Sequence, residues 1–594
     1  LRNWLWAVES MQRDMQQLWN QPLFSKDAEE WCECGNNGGD ETNDPKSCYE
    51  QALNVDPTFK QAWCNLGTEL EKIKKRKAQG KEGAKEEDWI ATVKELKYTA
   101  KQCYEKALES DQTFAVAWFN LGAHVGANDY FSDYGVNVSN YTANQCYEKA
   151  LEQEPEDKNP EAKKVWSKIW YNLGTTGGGQ VKNIKYEKRA CFVKALELND
   201  DDGNTWYNLG NQGGGEVSRN QAAVKKLTSE ECFWEAVTRT PEHKEAWYNL
   251  GQNLLQKSGT EGKDAKGEES SSPFPSPGEC FRRAVEIDPE YGMAWYRLGS
   301  ELEKNKEKSQ GKEGGDRTWI ATLKNENYTA QQCFEKALTC NSGNKHCWYQ
   351  LGTVGGGTVG SKKMDKKACF LKAVKTEPIN HPQDKQTWRS LMSLGHPQKE
   401  CLENITNIDP KDSNAWYELG LESKTPDEKR NCFQRALMED TKHKEAWCGL
   451  GSQGGGSVDA EKYEPLECFL KALHLDEKYG IAWYNLGAVL AKDDDPQGQN
   501  GCLSSIPQGK KLTINGKEID CTAKECYQKA LSGNEDSKED WCKKAWYNLG
   551  NHQGGQVNTQ KYNKTKCYKK ALECDAKYSK AKTEYDKQQA CLIA

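Results

Sequence analysis

Cysteine is the residue in this chain best suited to chemistry, with 24 of them among 594 residues. A thiolate can attack a carbonyl, bind zinc or close a disulfide, and each task needs a partner at a set spacing. Thirteen cysteines, at 48, 103, 146, 191, 232, 280, 333, 369, 401, 432, 468, 526 and 567, open similar segments without a matching second Cys in each. They read as reduced, small apolar residues in a helix seam. The other eleven are Cys32, Cys34, Cys64, Cys340, Cys347, Cys448, Cys502, Cys521, Cys542, Cys574 and Cys591. Local pairs such as 340 with 347 and 502 with 521 would suit disulfides in an oxidising compartment. Five N-x-[ST] sequons, at Asn137, Asn140, Asn327, Asn404 and Asn563, would carry glycans there. A chain this polar is expected to hold about that many by chance, so a cytoplasmic location is favoured over an extracellular one.

Other chemistry fares worse. Cys32-x-Cys34 stands alone and the eight His are scattered, so no metal site is expected. GGGTVG at 355–360 satisfies G-x-G-x-x-G but follows a helix rather than a strand, and reads as a glycine loop closing a shortened helix. Gly80-Lys81, Gly311-Lys312 and Gly516-Lys517 are each followed by Glu, which excludes a P-loop. No nucleophile is placed beside a base, so neither enzyme activity nor a cofactor is expected. The basic run KIKKRK at 72–77 is answered by KEEDW and reads as a solvated mixed-charge arm. A net charge of -7 gives no drive toward nucleic acid. No apolar stretch is long enough to span a bilayer.

The elements behind these residues repeat. CYEQALNVDPTFKQAWCNLG from Cys48, CYEKALESDQTFAVAWFNLG from Cys103 and CFRRAVEIDPEYGMAWYRLG from Cys280 are one pattern. Twelve of the thirteen segments run on to a Trp-led segment, and in nine of those the Trp lies 15 residues after the Cys. In CYEKAL the aromatic and the Ala share a helix face. Asp-Pro, as at 56–57, 288–289 and 409–410, ends that helix, because Pro lacks a donor and restricts its predecessor. Trp63, Leu66 and Gly67 then share a face of the next helix, whose Gly permits close approach.

These residues resemble the tetratricopeptide repeat: Trp63, Leu66, Gly67, Ala100, Tyr104 and Ala107 match its W-x2-L-G and A-x3-[FY] signature. GGGQV at 177–181 and GGGSV at 454–458 resemble Sel1-like elements. The resemblance implies an all-α, right-handed α-solenoid of about thirteen helical hairpins with inserts between helix A, which bears the Trp, and helix B, which bears the Cys. Residues 27–578 would form the superhelix. Residues 1–26 read as an amphipathic helix that caps it or docks elsewhere, and 579–594 as a capping helix. KKLTINGKEIDC, with Asn515-Gly516, reads as a β-hairpin.

The residue two after the Trp is Asn at 65, 120, 172, 208, 249, 485 and 548. In the family the A helices line the concave face, and Asn there holds the backbone of an extended peptide. The resemblance therefore implies a scaffold binding protein or peptide partners along Asn65, Asn120, Asn172, Asn208, Asn249, Asn485 and Asn548, aided by the insert arms. Two alternatives stand beside it: a self-assembling filament or coat subunit, extracellular and glycosylated, and the targeting arm of an enzyme whose catalytic domain would precede Leu1.

Overall fold

The computed structural model describes residues 26–593 except 41–42, 79–89, 128–140, 157, 219–223, 261–272, 310–320, 325, 379–380, 494–510, 521 and 535–536. The 1–25 segment, Asn137, Asn140, Cys502 and Cys521 lie outside the described residues. The chain divides into two compact units, Leu1–Cys340 and Asn341–Ala594.

Each unit is a run of A–B helix pairs. In the first they are Lys26–Asn36 with Pro45–Val55, Lys60–Ala78 with Ala100–Ser110, Ala115–Ala127 with Ala143–Glu152, Pro160–Thr176 with Lys188–Leu198, Gly203–Asn211 with Ser229–Arg239, Lys244–Thr260 with Pro277–Ile287, and Gly292–Ser309 with Ala330–Cys340. In the second they are Lys345–Thr353 with Lys366–Lys375, Asp384–Ser393 with Gln398–Ile408, Ser413–Glu422 with Pro426–Glu439, Lys444–Ser452 with Pro465–Leu475, Gly480–Asp493 with Ala523–Leu531, and Asp540–Asn551 with Lys564–Cys574; Ser579–Ile593 follows alone.

The motif residues explain the hairpin. The Gly of helix A lies under the ring of helix B: a Cβ at Gly67 would sit 2.7 Å from Tyr104 Cε1, and one at Gly210 2.6 Å from Phe233 Cε1. The pair Asp384–Ser393 with Gln398–Ile408 departs from this arrangement, with Met392 where the Gly would be and Leu402 where the ring would be. The indole N–H of the Trp donates to the carbonyl six residues upstream at 2.8 Å, as in Trp63 to Pro57, Trp206 to Asp200, Trp295 to Pro289 and Trp447 to Thr441. That bond ties the B-to-A turn to the start of helix A. Lys–Asp ion pairs join the start of A to the end of B: Lys60 to Asp111 at 2.5 Å, Lys444 to Asp476 at 2.6 Å and Lys543 to Asp575 at 2.8 Å. These are the helical hairpins of tetratricopeptide type that the motif implies.

The inserts differ from the expectation. Among the described residues eight two-stranded antiparallel sheets lie between A and B, whereas the sequence marks one. Gly178–Val181 pairs with Ile184–Glu187, Gly356–Val359 with Lys362–Asp365, and Gly456–Val458 with Glu461–Tyr463. The glycine tracts, read as loops, are therefore first strands. Their middle glycine is obligatory for two reasons: at Gly178, Gly356 and Gly455 φ is 84°, 93° and 80°, and a Cβ would lie 2.2 to 2.3 Å from a carbonyl oxygen of the second strand. Five of the eight described hairpins return a Tyr onto the Trp of their own helix A, with ring centroids 4.8 Å apart for both Trp63–Tyr98 and Trp170–Tyr186. Lys72 and Arg76 of the basic run lie on helix Lys60–Ala78, bound to Glu69 at 3.1 and 2.7 Å.

Candidate functional site

The seven Asn positions all fall on A helices, half-buried except for Asn120, which is buried. Their amides point at the preceding unit. Asn120 Nδ2 donates to Cys64 Sγ at 3.2 Å, Asn208 to Tyr171 Oη at 3.2 Å, Asn249 to Tyr207 Oη at 3.4 Å and Asn485 to Cys448 Sγ at 3.3 Å. Asn65 reaches Asn36 Oδ1 at 3.0 Å, with Cys32 Sγ at 3.9 Å. In each case the residue reached directly follows the preceding Trp, or, for Asn36, shares that helix. Asn548 bonds the Tyr527 hydroxyl, on helix B rather than helix A of the preceding pair. The donors thus stitch one A helix to the previous one.

The acceptors are not spent in this way. Among the described residues the side-chain oxygens of Asn65, Asn120, Asn172, Asn208, Asn249 and Asn485 receive no hydrogen bond, and none is sealed from water. Among the described residues Asn172 makes no side-chain hydrogen bond, so its donor and acceptor are both open there; its backbone carbonyl accepts from the Thr175 and Thr176 hydroxyls. Beside this row stand Tyr171, Tyr207 and Tyr248, each packed against the ring of its own helix B with centroids 5.7 to 6.0 Å apart. Burial pushes the Tyr171 phenol up to about 12, so it stays a neutral donor and acceptor.

A cavity lies elsewhere. About 810 Å³ opens beside the hairpin Gly178–Glu187, lined by Glu148, Gly179, Lys185, Tyr186, Lys188 and Arg189 among others. Helix B of the preceding pair holds this hairpin in place: Glu148 accepts from Gln180 N at 2.6 Å, and Asn144 donates to Gly178 O at 2.7 Å. The residue two after the framework Cys repeats this role, as Glu50 accepts from Thr92 N and as Gln434 and Gln528 donate to Ser457 O and Gln556 O. Arg189 donates from Nε to Gln212 O at 3.1 Å, which closes the end of the next helix A.

The buried framework thiols are poor nucleophiles. Burial holds Cys146, Cys191, Cys280, Cys333, Cys468 and Cys567 up at about 12, and Cys369 and Cys401 at about 11. Cys32, Cys64 and Cys448, which follow a Trp, are likewise raised by burial, with the Asn hydrogen bond opposing. Cys340 is exposed and Cys347 buried. Cys34 and Cys48, which the sequence did not pair, have sulfurs 2.6 Å apart. Of the sequons, Asn327 and Asn563 are exposed, with Asn327 on a hairpin strand and Asn563 capping helix Lys564–Cys574, while Asn404 is mid-helix and donates to Glu400 O at 2.8 Å. Among the described residues no group of three or more His, Cys, Asp or Glu is placed to hold a metal. No helix among them is long and apolar enough to cross a membrane.

No family model matches the chain, and neither does any curated protein. Solved structures align to it at low identity and low TM-scores. YrrB, described as a TPR protein with an unusual peptide-binding site, is 16% identical at a TM-score of 0.20, over 44% of this chain and 99% of that one. Yeast Tom70 is 12% identical at 0.23, over 78% and 96%. The human IFIT1 dimer with m7Gppp-AAAA is 13% identical at 0.24, over 82% and 95%.

Proposed function

We propose that this tetratricopeptide-type array is a non-catalytic scaffold that holds an extended segment of a partner protein along its A helices. One observation carries the reading: successive A helices present asparagine oxygens that reach water, while their amino groups fix those same side chains by bonding the helix before. A side chain held at its donor end is a pre-oriented acceptor, suited to the N–H groups of a peptide in extended conformation. Asn172, open at both ends, is the position suited to a two-point backbone contact. With a net charge of -7, the partner is a protein rather than a nucleic acid.

The test is selection of peptides from a displayed random library on the full chain, followed by titration of the winners against Asn172→Ala, Asn208→Ala and the two combined. Binding should fall about tenfold or more for the double variant, matching two hydrogen bonds of roughly 1 kcal/mol each, with far-ultraviolet dichroism unchanged. Peptides that bind both chains equally would end the proposal for this row. The cavity beside Gly178–Glu187 supports a second docking surface on the insert arms, and Lys185→Ala separates the two, because Lys185 lines the cavity from the hairpin and is not part of an A helix.

A further inference from the structure

Every A helix of the first unit except the first carries a leucine three residues after its framework Trp: Leu66, Leu121, Leu173, Leu209, Leu250 and Leu298. In helix Lys26–Asn36 that position is Cys34, three after Trp31. Helix B of the pair carries the framework Cys48, and the two sulfurs are 2.6 Å apart, well inside the contact distance of unbonded thiols. We infer that Cys34 and Cys48 form a dithiol built to close into a disulfide, a modification site that links the two helices of the first hairpin.

The packing fixes both ends of the bond. Tyr49, next to Cys48, lies under Gly35, next to Cys34, where an added Cβ would meet its ring at 2.6 Å. The Tyr49 hydroxyl donates to Asn36 Oδ1 at 3.0 Å. The helices are thus already in register at the height of the two thiols, and little freedom is lost when they join. Exposure sets the order of events. Cys34 is partly exposed, whereas Cys48 is wholly buried with its thiol raised to about 12, chiefly by that burial.

The oxidant is a small-molecule disulfide of the oxidised-glutathione class. The Cys34 thiolate attacks one of its sulfurs, the small disulfide's S–S bond breaks, and one thiolate leaves. Cys48 Sγ then attacks Cys34 Sγ, loses its proton and expels the second thiolate. Two protein thiols are oxidised, one small disulfide is reduced to two thiols, and the leaving thiolates take up the two protons.

The experiment equilibrates the full folded chain with glutathione buffers of rising oxidised fraction, quenches with iodoacetamide, digests with trypsin and reads the peptides by mass. The expected product is the Cys34 peptide joined to the Cys48 peptide, two hydrogens lighter than their sum, with Cys32 in the same peptide still free to take an alkyl group after unfolding. Cys34→Leu, which restores the residue of the other repeats, should fold and leave Cys48 reduced at every ratio. Alkyl groups on both Cys34 and Cys48 at the most oxidising ratio would overturn the inference. So would a Cys32–Cys34 bond, or glutathione left on Cys34 without the cross-link.

Discussion

Replacing Lys345 with methionine tests how the second unit is held at its first helix pair. The side chains of Lys345 and Asp384 are 5% and 2% exposed, with Nζ 2.8 Å from Oδ2. The same ammonium donates to Pro378 O, and the carboxylate also accepts from His381 N at 3.0 Å. Methionine keeps most of the stem but leaves a buried carboxylate with a single N–H. Breaking one side of a buried pair costs about 3–5 kcal/mol, whereas exchanging both partners for apolar residues is near neutral. Lys345→Met should therefore lose about that much, and Lys345→Met with Asp384→Leu should recover most of it. The more open pair Lys60–Asp111, at 29% and 26% exposed, should lose at most about 1 kcal/mol on Lys60→Met. Repeat arrays do not unfold in one step, so the assay is amide hydrogen exchange in Lys345–Thr353 and Asp384–Ser393. At about 1.4 kcal/mol per tenfold, exchange there should quicken roughly 100- to 4,000-fold in the single variant. An increase under about tenfold, or a double variant no better than the single, would refute the reasoning.

Three further outcomes follow from the same geometry. Gly210→Ala places a Cβ 2.6 Å from Phe233 and should cost about 1–3 kcal/mol; Phe233→Leu beside it makes room for the added methyl and should return part of that, and exchange in Gly203–Asn211 reads both. Trp447→Phe removes the donor to Thr441 O and should cost about 1–3 kcal/mol, counting the acceptor left behind, with protection lost first in the turn 440–443. His243 caps helix Lys244–Thr260 by accepting from Ala246 N, and burial lowers its pKa from 6.5 despite Glu245. Its folded pKa lies below the unfolded one, so the cap is at full strength above about 6.5 and weakens as pH falls through that value. The urea midpoint of the wild type should therefore drop more than that of His243→Asn between about pH 8 and about pH 5; parallel curves would contradict the assignment.

The helix pairs were legible because Trp, Gly, aromatic and Ala recur at helical spacing, and each is buried for that reason. The hairpins were not. Asn515-Gly516 and Gly360-Ser361 have residues that a two-residue turn favours, but other turns are made by Lys94-Glu95, at φ of 47° and 67°, and by Asp459-Ala460, at 50° and 66°. Strands of three or four residues that begin with glycine also carry almost no β-propensity. The Asn row could be located from sequence, but not the destination of its amino groups. Cys64, Tyr171 and Cys448 each belong to the unit before, and a one-unit pattern does not contain a contact between units. Cys34 was hidden for a related reason, since its significance lies in the leucine it replaces.

Glu50, Glu148, Gln434 and Gln528 each secure a hairpin that belongs to the following repeat. A repeat cut out alone would leave one insert without its holder and one holder without its insert. Recombination within such a gene would then be tolerated best when whole runs of neighbours are copied together, with mismatch confined to the joints. The similar inserts after Leu70 and Leu302, five repeats apart, are what that constraint would leave behind.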